Sequence, residues 1–311
     1  MQLDIVIPYF NNSSTIGAVL AEIDEELGLL VKAHTSLNVV VIIVDDGSKL
    51  SPERVLVGVN RKHFSLRLVS LSRNFGQLAA IYAGYASSLG DATVVMSADG
   101  QDPASVLHLL VQEFLDGHGV VIGVRNSNTD PISRRLTSAV SLKIIRSVVP
   151  QMPTTWFDIS LVSKAARDQI LLMEGRYRFT QGDILDVGFQ PTQIGYDRRR
   201  RLSGRSGYSF SRRFENFRNC VLETEYFPRL FGRLGAVVLT FSASYSIWIF
   251  ISFFLFGGSP NGWSPLMIVA LVTLGLNLFV SSILMQFVWR IYSTTQRKPL
   301  FIIQASKELG T

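Results

Sequence analysis

The sequence predicts an α/β protein in which a mostly parallel sheet with helices is followed by a segment that enters a membrane. Through the first part of the chain, apolar runs of strand length alternate with stretches of helical periodicity, which is typical of a sheet covered by helices on both faces. No Asp, Glu, Lys, Arg or His occurs from Leu234 to Trp289. Charged residues make up 17% of the 311 residues, against the usual ~25%, and this block accounts for the deficit.

Five strands and four helices are expected within residues 1–209, which form the predicted catalytic domain. One of the strands is continuously apolar, as a strand buried on both faces requires, and the first helix repeats apolar residues at helical spacing. The expected strands are Leu3–Pro8, Val39–Val44, Leu66–Leu71, Ala92–Met96 and Val120–Val124. The expected helices are Ser14–Leu30, Pro52–Asn60, Phe75–Leu89 and Ala104–Leu115.

The uncharged block predicts a transmembrane hairpin over residues 234–289. Its spans, Leu234–Phe256 and Leu266–Trp289, each exceed the ~20 residues that cross a bilayer as a helix. Basic residues flank the outer ends of both spans, so the positive-inside rule places the catalytic domain and both termini, including the tail 290–311, in the cytoplasm at the inner (plasma) membrane. Two buried core helices are the alternative. A two-span anchor also makes a homo-oligomer plausible.

Positive charge is concentrated just before this block. The net charge is +6, and ten arginines but only three glutamates lie between Arg198 and Arg233. Such a belt suits anionic lipid headgroups or a phosphorylated substrate. Within it, residues 210–233 alternate arginines with apolar residues, which predicts juxtamembrane helices lying in the membrane interface. Nucleic acid is excluded as a partner because no stacking-aromatic array or basic recognition helix accompanies the belt.

Carboxylates follow two of the expected strands. Asp45 and Asp46 end one strand, and Asp99 and Asp102 follow another. Ligands of parallel α/β sheets bind at these carboxyl ends. The first strand is followed by Pro8-Tyr-Phe-Asn-Asn12 instead of a glycine-rich turn, and no P-loop motif occurs, which argues against dinucleotide oxidoreductases and P-loop NTPases. A diphosphate bound without a glycine cradle usually needs a divalent metal, which Asp99 can hold.

An ordered series of motifs runs along the chain. The motifs are Ile5-Val-Ile-Pro-Tyr9, Val44-Asp-Asp-Gly-Ser48, Ser72-Arg-Asn-Phe-Gly76, Ala98-Asp-Gly-Gln-Asp-Pro103, Gly123-Val-Arg125, Trp156-Phe-Asp158, Arg178-Phe179, Tyr196 to Ser209 and Lys298-Pro-Leu300. Together they resemble the GT-A fold, family 2 glycosyltransferases, and within them the polyisoprenyl-phosphate branch that includes undecaprenyl-phosphate glucosyltransferases and dolichyl-phosphate mannose synthase. The resemblance covers nearly the whole chain and continues through the two-span tail.

This resemblance implies a reaction and two substrates. The family moves a sugar from a nucleotide diphosphate sugar, here expected to be a UDP-sugar, to the phosphate of a membrane polyprenol such as undecaprenyl phosphate. Mg²⁺ or Mn²⁺ is the implied cofactor, because departure of the diphosphate needs charge neutralisation. Arginine forks suit an acceptor phosphate that is largely ionised at neutral pH.

The resemblance also assigns roles to residues. Asp99 and Gln101 match the metal ligands, although Ser97 replaces the family's usual first Asp. Asp158 matches the acidic residue beside the acceptor phosphate that is often called the base, so Asp99 and Asp158 are the implied catalytic residues. The donor nucleotide is assigned to Pro8, Tyr9, Asp45, Asp46, Arg198, Arg201 and Ser206. The acceptor phosphate is assigned to Arg125, Arg134 and Arg135.

Simpler structural roles remain for some of these side chains. Asp45 and Asp46 could form a turn or a helix cap, and Asp158 could cap a turn. For Asp102, which precedes Pro103, an N-cap of the following helix is the favoured interpretation. Gly207 stands where the family commonly has Lys, which removes one cation.

Two alternatives to a polyprenyl-phosphate glycosyltransferase stay open. A processive polysaccharide synthase of the same fold would carry a Q-x-x-R-W motif, whereas Gln181 is followed by Gly-Asp-Ile-Leu. A degenerate, non-catalytic protein that binds nucleotide sugar is suggested by Ser97 and Gly207.

Overall fold

A computed structural model describes residues 1–126, 151–173, 179–199, 263–295 and 299–310, with isolated positions between these ranges. The chain forms two compact units. The first comprises Met1–Phe217 and Pro299–Thr311, and the second comprises Arg218–Lys298.

The first unit contains an eight-stranded mixed sheet with the order β7-β5-β6-β4-β1-β2-β3-β8. Strands β1 to β4 pair in parallel with one another, and β7 pairs in parallel with β5. Strands β6 and β8 run antiparallel to their neighbours. The strands are β1 Gln2–Tyr9, β2 Asn38–Asp45, β3 Ser65–Leu71, β4 Ala92–Val95, β5 Val120–Arg125, β6 Phe157–Ser163, β7 Thr192–Tyr196 and β8 Ile303–Leu309. All five predicted strands are therefore confirmed.

The four predicted helices are also present: the first begins two residues later and ends three residues later than predicted, and the other three are shorter than predicted. The helix predicted to begin at Phe75 begins at Gln77, because Gly76 has a φ of +99° and cannot be a helical residue. The helices are α1 Ile16–Ala33, α2 Glu53–Val57, α3 Gln77–Ser87, α4 Val106–Leu115, α5 Lys164–Leu172, α6 Thr180–Asp186 and α7 Trp263–Thr295.

The core lies where β1 and β2 are covered by helices. Every residue of β2 after Asn38 is buried, as its unbroken apolar run predicts. Helix α1 buries one stripe at helical spacing, made of Ile16, Val19, Leu20, Ile23, Leu27 and Leu30. This packing fixes the strand ends from which the site is built.

A buried polar network joins β1 and β4 at the ends where these two strands begin. The Asp4 carboxylate accepts hydrogen bonds from the Ser88 hydroxyl at 2.7 Å and from the amide of Gly90 at 2.8 Å. The Arg167 guanidinium donates to Ser88 Oγ at 2.8 Å and to the Gly90 carbonyl at 2.9 Å. Both charged residues are buried, and each has hydrogen-bond partners, which burial of a charge requires.

Strand β8 lies in the segment that the sequence analysis treated as a tail. Its residues pair antiparallel with β3, and the buried Arg61 donates to the carbonyls of Leu309, at 2.6 Å, and Gly310. The strand is an exposed edge without an apolar run, so no hydrophobic pattern identified it.

The second unit contains α7, which includes the predicted span 266–289. Among the residues that the structure describes, no helix combines the length and the apolar character needed to cross a membrane. The first predicted span, 234–256, and the predicted interfacial helices at 210–233 lie almost entirely outside the described residues. The transmembrane hairpin therefore stays a prediction.

Candidate active site

The loops that follow β1 and β2 are joined by hydrogen bonds. The amide of Asn11 donates to Ser48 Oγ at 2.9 Å, and Asn11 Oδ1 accepts from the amide of Lys49 at 3.1 Å. Asp45 Oδ1 accepts from the Ser48 amide at 3.0 Å, as an aspartate in a turn does. These bonds shape the strand ends to which the resemblance assigns the nucleotide.

Asp46 attaches a third loop, the one between β3 and α3, to the loops that follow β1 and β2. Its two carboxylate oxygens accept from the amides of Phe75, at 2.7 Å, and Gly76, at 2.9 Å. Burial raises the pKa of Asp46, and these two hydrogen bonds partly offset the effect. Next to it, Gly47 has a φ of +67°, and a Cβ there would lie 2.5 Å from the carbonyl carbon of Arg73. The close approach of the two loops therefore requires glycine.

The aromatic side chains after β1 differ in exposure. Tyr9 is 2% exposed, and it contributes a backbone carbonyl that accepts from the Asp46 amide at 2.9 Å. Burial, followed by the charge of Asp45, raises the pKa of the Tyr9 hydroxyl. Phe10 is 42% exposed at the same strand end. Of these two aromatic residues, Phe10 is the one whose ring a ligand could contact, and the sequence analysis gave it no role. Pro8, which was assigned to the nucleotide, is half-buried.

Ser97 lies between two carboxylates after β4. Its hydroxyl is 2.8 Å from Asp99 Oδ1 and 2.7 Å from Asp102 Oδ2. Asp99 Oδ1 also accepts from the amide of Gln101 at 3.1 Å. The serine that replaces the family's first acidic residue therefore links the remaining two.

Asp102 does not cap a helix. Helix α4 begins at Val106 after Ser105, and no side chain caps it. Asp102 Oδ1 instead accepts from the Tyr196 hydroxyl at 2.8 Å. Burial, and then the charge of Asp158, raises the pKa of Asp102, and the Ser97 and Tyr196 hydrogen bonds oppose this shift. The favoured N-cap interpretation is wrong because the helix begins only at Val106 and the Asp102 carboxylate accepts from the hydroxyls of Ser97 and Tyr196.

Two arginines converge on Asp158 at the same edge of the sheet. Arg125 ends β5, Asp158 is the second residue of β6, and Arg198 follows β7. Asp158 Oδ2 accepts from Arg125 Nη2 and lies 3.1 Å from Arg198 Nη2. Burial lowers the pKa of Arg125. Interactions with Asp158, followed by those with Tyr196 and Asp102, together outweigh burial, so this pKa is raised.

Both guanidinium groups keep unused donors. Within the described part of the chain, the Nε atoms of Arg125 and Arg198 are buried without a hydrogen-bond partner. Arg198 Nε lies 3.8 Å from Asp102 Oδ1, which is too long for a hydrogen bond. The cluster therefore holds more donors than its carboxylates satisfy, which is the polarity of an anion-binding site.

Residues 197–199 are fixed to the loop that carries Asp99. The amide of Arg199 donates to the carbonyl of Gln101 at 2.9 Å, and its guanidinium donates to Glu22 Oε1 at 2.9 Å. The same Glu22 oxygen accepts from the amide of Ala104 at 3.0 Å. The neighbouring Arg198 is thereby held close to Asp102 and Asp158.

The expected site residues form two groups at one edge. One group holds Pro8, Tyr9, Asp45 and Asp46, and the other holds Asp99, Gln101, Arg125, Asp158 and Arg198. Arg134, Arg135, Arg201 and Ser206 lie outside the described residues. Two further residues position the site through side-chain contacts: Tyr196, which begins one of the motifs but was assigned no role, and Glu22, which no motif contains.

The resemblance implies a metal site at Asp99 and Gln101. Among the described residues, no group of three or more His, Cys, Asp or Glu side chains could hold a metal ion. Asp99 and Gln101 offer one carboxylate and one amide. Mg²⁺ is often bound by one or two carboxylates together with substrate phosphates, so this oxygen donor set fits that cation.

The mixed sheet with carboxylates and arginines at its carboxyl edge is a GT-A-like α/β fold. The sequence profile of glycosyl transferase family 2 matches residues 4–165. The chain therefore belongs to this glycosyltransferase family.

Several relatives are similar over nearly the whole chain. An uncharacterized glycosyltransferase of Synechocystis is 25% identical over 306 residues, covering 97% of this chain and 95% of its own. The bactoprenol glucosyl transferase of Shigella phage SfX is 26% identical over 310 residues, covering 99% and 100%. Among solved structures, glucosyl-3-phosphoglycerate synthase from Mycobacterium tuberculosis, in complex with Mg²⁺ and uridine-diphosphate, superposes with a TM-score of 0.50 at 18% identity, covering 71% of this chain and 77% of its own. That similarity concerns the fold alone.

Proposed function

We propose that the protein is an inverting glycosyltransferase that moves a sugar from a UDP-sugar to undecaprenyl or another polyprenyl phosphate at the cytoplasmic face of the membrane. The product is a lipid-linked sugar for the modification of envelope glycans. The observation that carries the proposal is the convergence of Arg125 and Arg198 beside the Asp99 loop. Full-length relatives named bactoprenol glucosyl transferases support the lipid acceptor.

The donor half of the site would hold the nucleotide and its metal. Asp45 and the exposed face of Phe10 lie where the nucleoside would bind, and Asp99 with Gln101 would hold Mg²⁺ or Mn²⁺. When bound, such a cation neutralises charge on the departing diphosphate. The chain itself orients Asp99 through the Ser97 hydroxyl and the Gln101 amide.

The acceptor half would hold the lipid phosphate. A phosphate monoester has a second pKa near ~6, so it reaches neutral pH largely as a dianion and needs to be held more than deprotonated. Arg125 and Arg198 offer planar forks that are partly exposed, and such forks match phosphate oxygens better than a point charge does. Membrane attachment through the spans 234–256 and 266–289, with the basic belt at the headgroups, would bring the acceptor to this edge.

Purified protein should be tested with polyprenyl phosphate and a series of nucleotide sugars, with Mn²⁺ and with a chelator. We expect metal-dependent transfer from a UDP-sugar. Arg125→Lys should raise the acceptor KM about 10- to 100-fold and leave the donor KM nearly unchanged, because Lys supplies one point charge instead of a fork. Arg54→Lys is the matched control, since Arg54 is exposed on α2 and belongs to neither group of site residues.

Other results would favour other functions. Binding of nucleotide sugar without transfer to any acceptor would indicate the non-catalytic alternative. Products longer than one sugar would indicate a polysaccharide synthase. A loss confined to the donor KM in Arg125→Lys would move Arg125 to the diphosphate.

A further inference from the structure

Asp158 is the acidic residue nearest the expected acceptor, and its surroundings do not resemble those of a general base. One of its oxygens, Oδ2, is shared by two guanidinium groups, those of Arg125 and Arg198. The side chain is 32% exposed, and the arginine side chains are 19% and 21% exposed. Asp158 is therefore the anion that lies between two half-buried cations.

The proposed reaction releases no proton that a base would have to remove. An oxygen of the phosphate dianion forms the new bond to the anomeric carbon while the bond from that carbon to the diphosphate oxygen breaks, and the electron pair leaves with the nucleoside diphosphate. The lipid product is a phosphodiester monoanion, and the leaving nucleotide gains one negative charge. Atoms and charge balance without proton transfer, because the acceptor is already ionised at neutral pH.

The two arginines, in contrast, need an anion between them. Like charges repel, and each guanidinium lies on a separate element, at the end of β5 and after β7. Arg198 also approaches Asp102, whose other contacts are the hydroxyls of Ser97 and Tyr196. Asp158 is thus the residue that draws both forks to one point.

We propose, on the basis of the proposed function, that Asp158 is a positioning residue: it keeps Arg125 and Arg198 converged on the place where the acceptor phosphate binds, and it acts on the reaction only through them. The structural basis is the single shared oxygen, together with the buried Nε donors that Asp158 leaves unsatisfied. The phosphate would bind the exposed part of the two guanidinium groups, whose side chains are 19% and 21% exposed. Pre-organised donors bind more tightly because less ordering is needed on binding.

A double-mutant cycle distinguishes this role from that of a base. Asp158→Asn should lower kcat/KM for the acceptor at least tenfold in the otherwise unchanged protein. In an Arg125→Gln/Arg198→Gln background, the same change should alter kcat/KM less than about twofold, since the groups it acts through are gone. A base acting on the substrate directly would cost about 10²- to 10⁴-fold in both backgrounds. An equal factor in both backgrounds would refute the proposal.

The pH profile provides an independent readout. Among the residues that the structure describes, Asp102 and Tyr196 are the titratable groups that contact this cluster, besides the two arginines. In both the unchanged protein and Asp158→Asn, kcat should fall below about pH 6 as the acceptor phosphate gains its second proton. Loss of that acid limb in Asp158→Asn would instead identify Asp158 as the titrating base. Glu308→Gln, which neutralises the exposed partner of Arg67, is the control and should change neither readout.

The same cycle can be measured on binding alone, by calorimetry with a short-chain prenyl phosphate and purified full-length protein. Arg125→Gln should weaken binding at least tenfold when Asp158 is present and clearly less in Asp158→Asn. Coupling of this kind without sugar transfer in any assay would overturn the proposed function but not the role of Asp158. Transfer activity without coupling would overturn the role of Asp158 alone.

Discussion

At the scale of single residues, the site depends on how carboxylates are shared. Ser97 bridges Asp99 and Asp102, which leaves Asp99 as the carboxylate placed for a metal beside a diphosphate. A serine at this position removes one negative charge but keeps a hydrogen bond that orients Asp99. Binding of the metal would therefore depend mainly on Asp99, because Ser97 supplies no second carboxylate.

Asp99→Ala should abolish sugar transfer, with a loss of at least about a hundredfold, because the cation would lose its carboxylate ligand. The measurement that needs no turnover is thermal stability with UDP-sugar, since ligand binding to the folded state raises Tm. We expect the Mn²⁺-dependent part of that rise to vanish. Glu25→Ala, on the exposed side of α1, is the control. Wild-type rate and Mn²⁺ dependence in Asp99→Ala would show that the metal assignment is wrong.

Asp46→Asn should destabilise the protein by about 1–3 kcal/mol. The asparagine side chain has one acceptor oxygen, whereas the backbone N–H groups of Phe75 and Gly76 each bond to a separate oxygen of Asp46. The pKa of Asp46 is raised above its ordinary value of 3.8, so the folded state binds more protons than the unfolded state between these two pKa values. The contribution of Asp46 to stability is then greatest below 3.8 and falls as pH rises through the window.

Urea denaturation of both proteins across pH 3 to 7 measures this effect. The free energy of unfolding of the unchanged protein, relative to Asp46→Asn, should decline with rising pH. An increase over that window would mean that the two amide hydrogen bonds outweigh burial.

At the scale of elements, the C-terminal strand completes the sheet next to the site. The carbonyl of Ile302, just before β8, accepts from the amide of Ser72 at 3.0 Å, and Ser72 begins the motif that Asp46 holds. Strand β8 thus supports the loop between β3 and α3 from outside. Its attachment uses backbone hydrogen bonds and the guanidinium of Arg61.

Arg61→Met should loosen β8, because the carbonyls of Leu309 and Gly310 lose a charged, buried donor worth about 1–3 kcal/mol. Amide hydrogen exchange should speed up in β8 and at Ser72 while β1 and β2 keep their protection. Lys307→Ala removes an exposed pair with Glu53 and should change exchange little. Unchanged exchange in Arg61→Met would show that backbone pairing alone holds the strand.

At the scale of the whole molecule, the distribution of charge predicts how the chain is oriented in a membrane. The uncharged block and its flanking arginines predict that residues 257–265 face away from the cytoplasm while both termini face it. Helix α7 covers the second predicted span, and β8 follows it in the sheet of the first unit.

Cysteine labelling tests this topology. A single cysteine at position 259, introduced as Ser259→Cys in a Cys220→Ser background, should react with an impermeant reagent only from the side opposite the cytoplasm. A cysteine at exposed Glu25 on α1 is the control and should react only from the cytoplasmic side. Labelling of position 259 from the cytoplasmic side would exclude the hairpin.

The sequence determined the parallel part of the sheet and much of the site. Strands β1 to β5 and helices α1 to α4 follow from local periodicity, because burial on one or both faces leaves a pattern of apolar residues. Asp45 and Asp99 were identified after predicted strands and Asp158 from the resemblance, and the structure places all three at one edge. The family assignment followed from the same motifs and is confirmed.

Only the tertiary structure decided which side chains meet. Strand β8 forms because its partner β3 and Arg61 lie far away in sequence, and an exposed edge strand carries no apolar signal. Asp102 has the local sequence of a helix cap, yet Tyr196 and Ser97 draw it into a buried network. Long-range contacts override local preference here because a buried carboxylate must keep its hydrogen bonds, and leaving it without them costs more than leaving a helix uncapped.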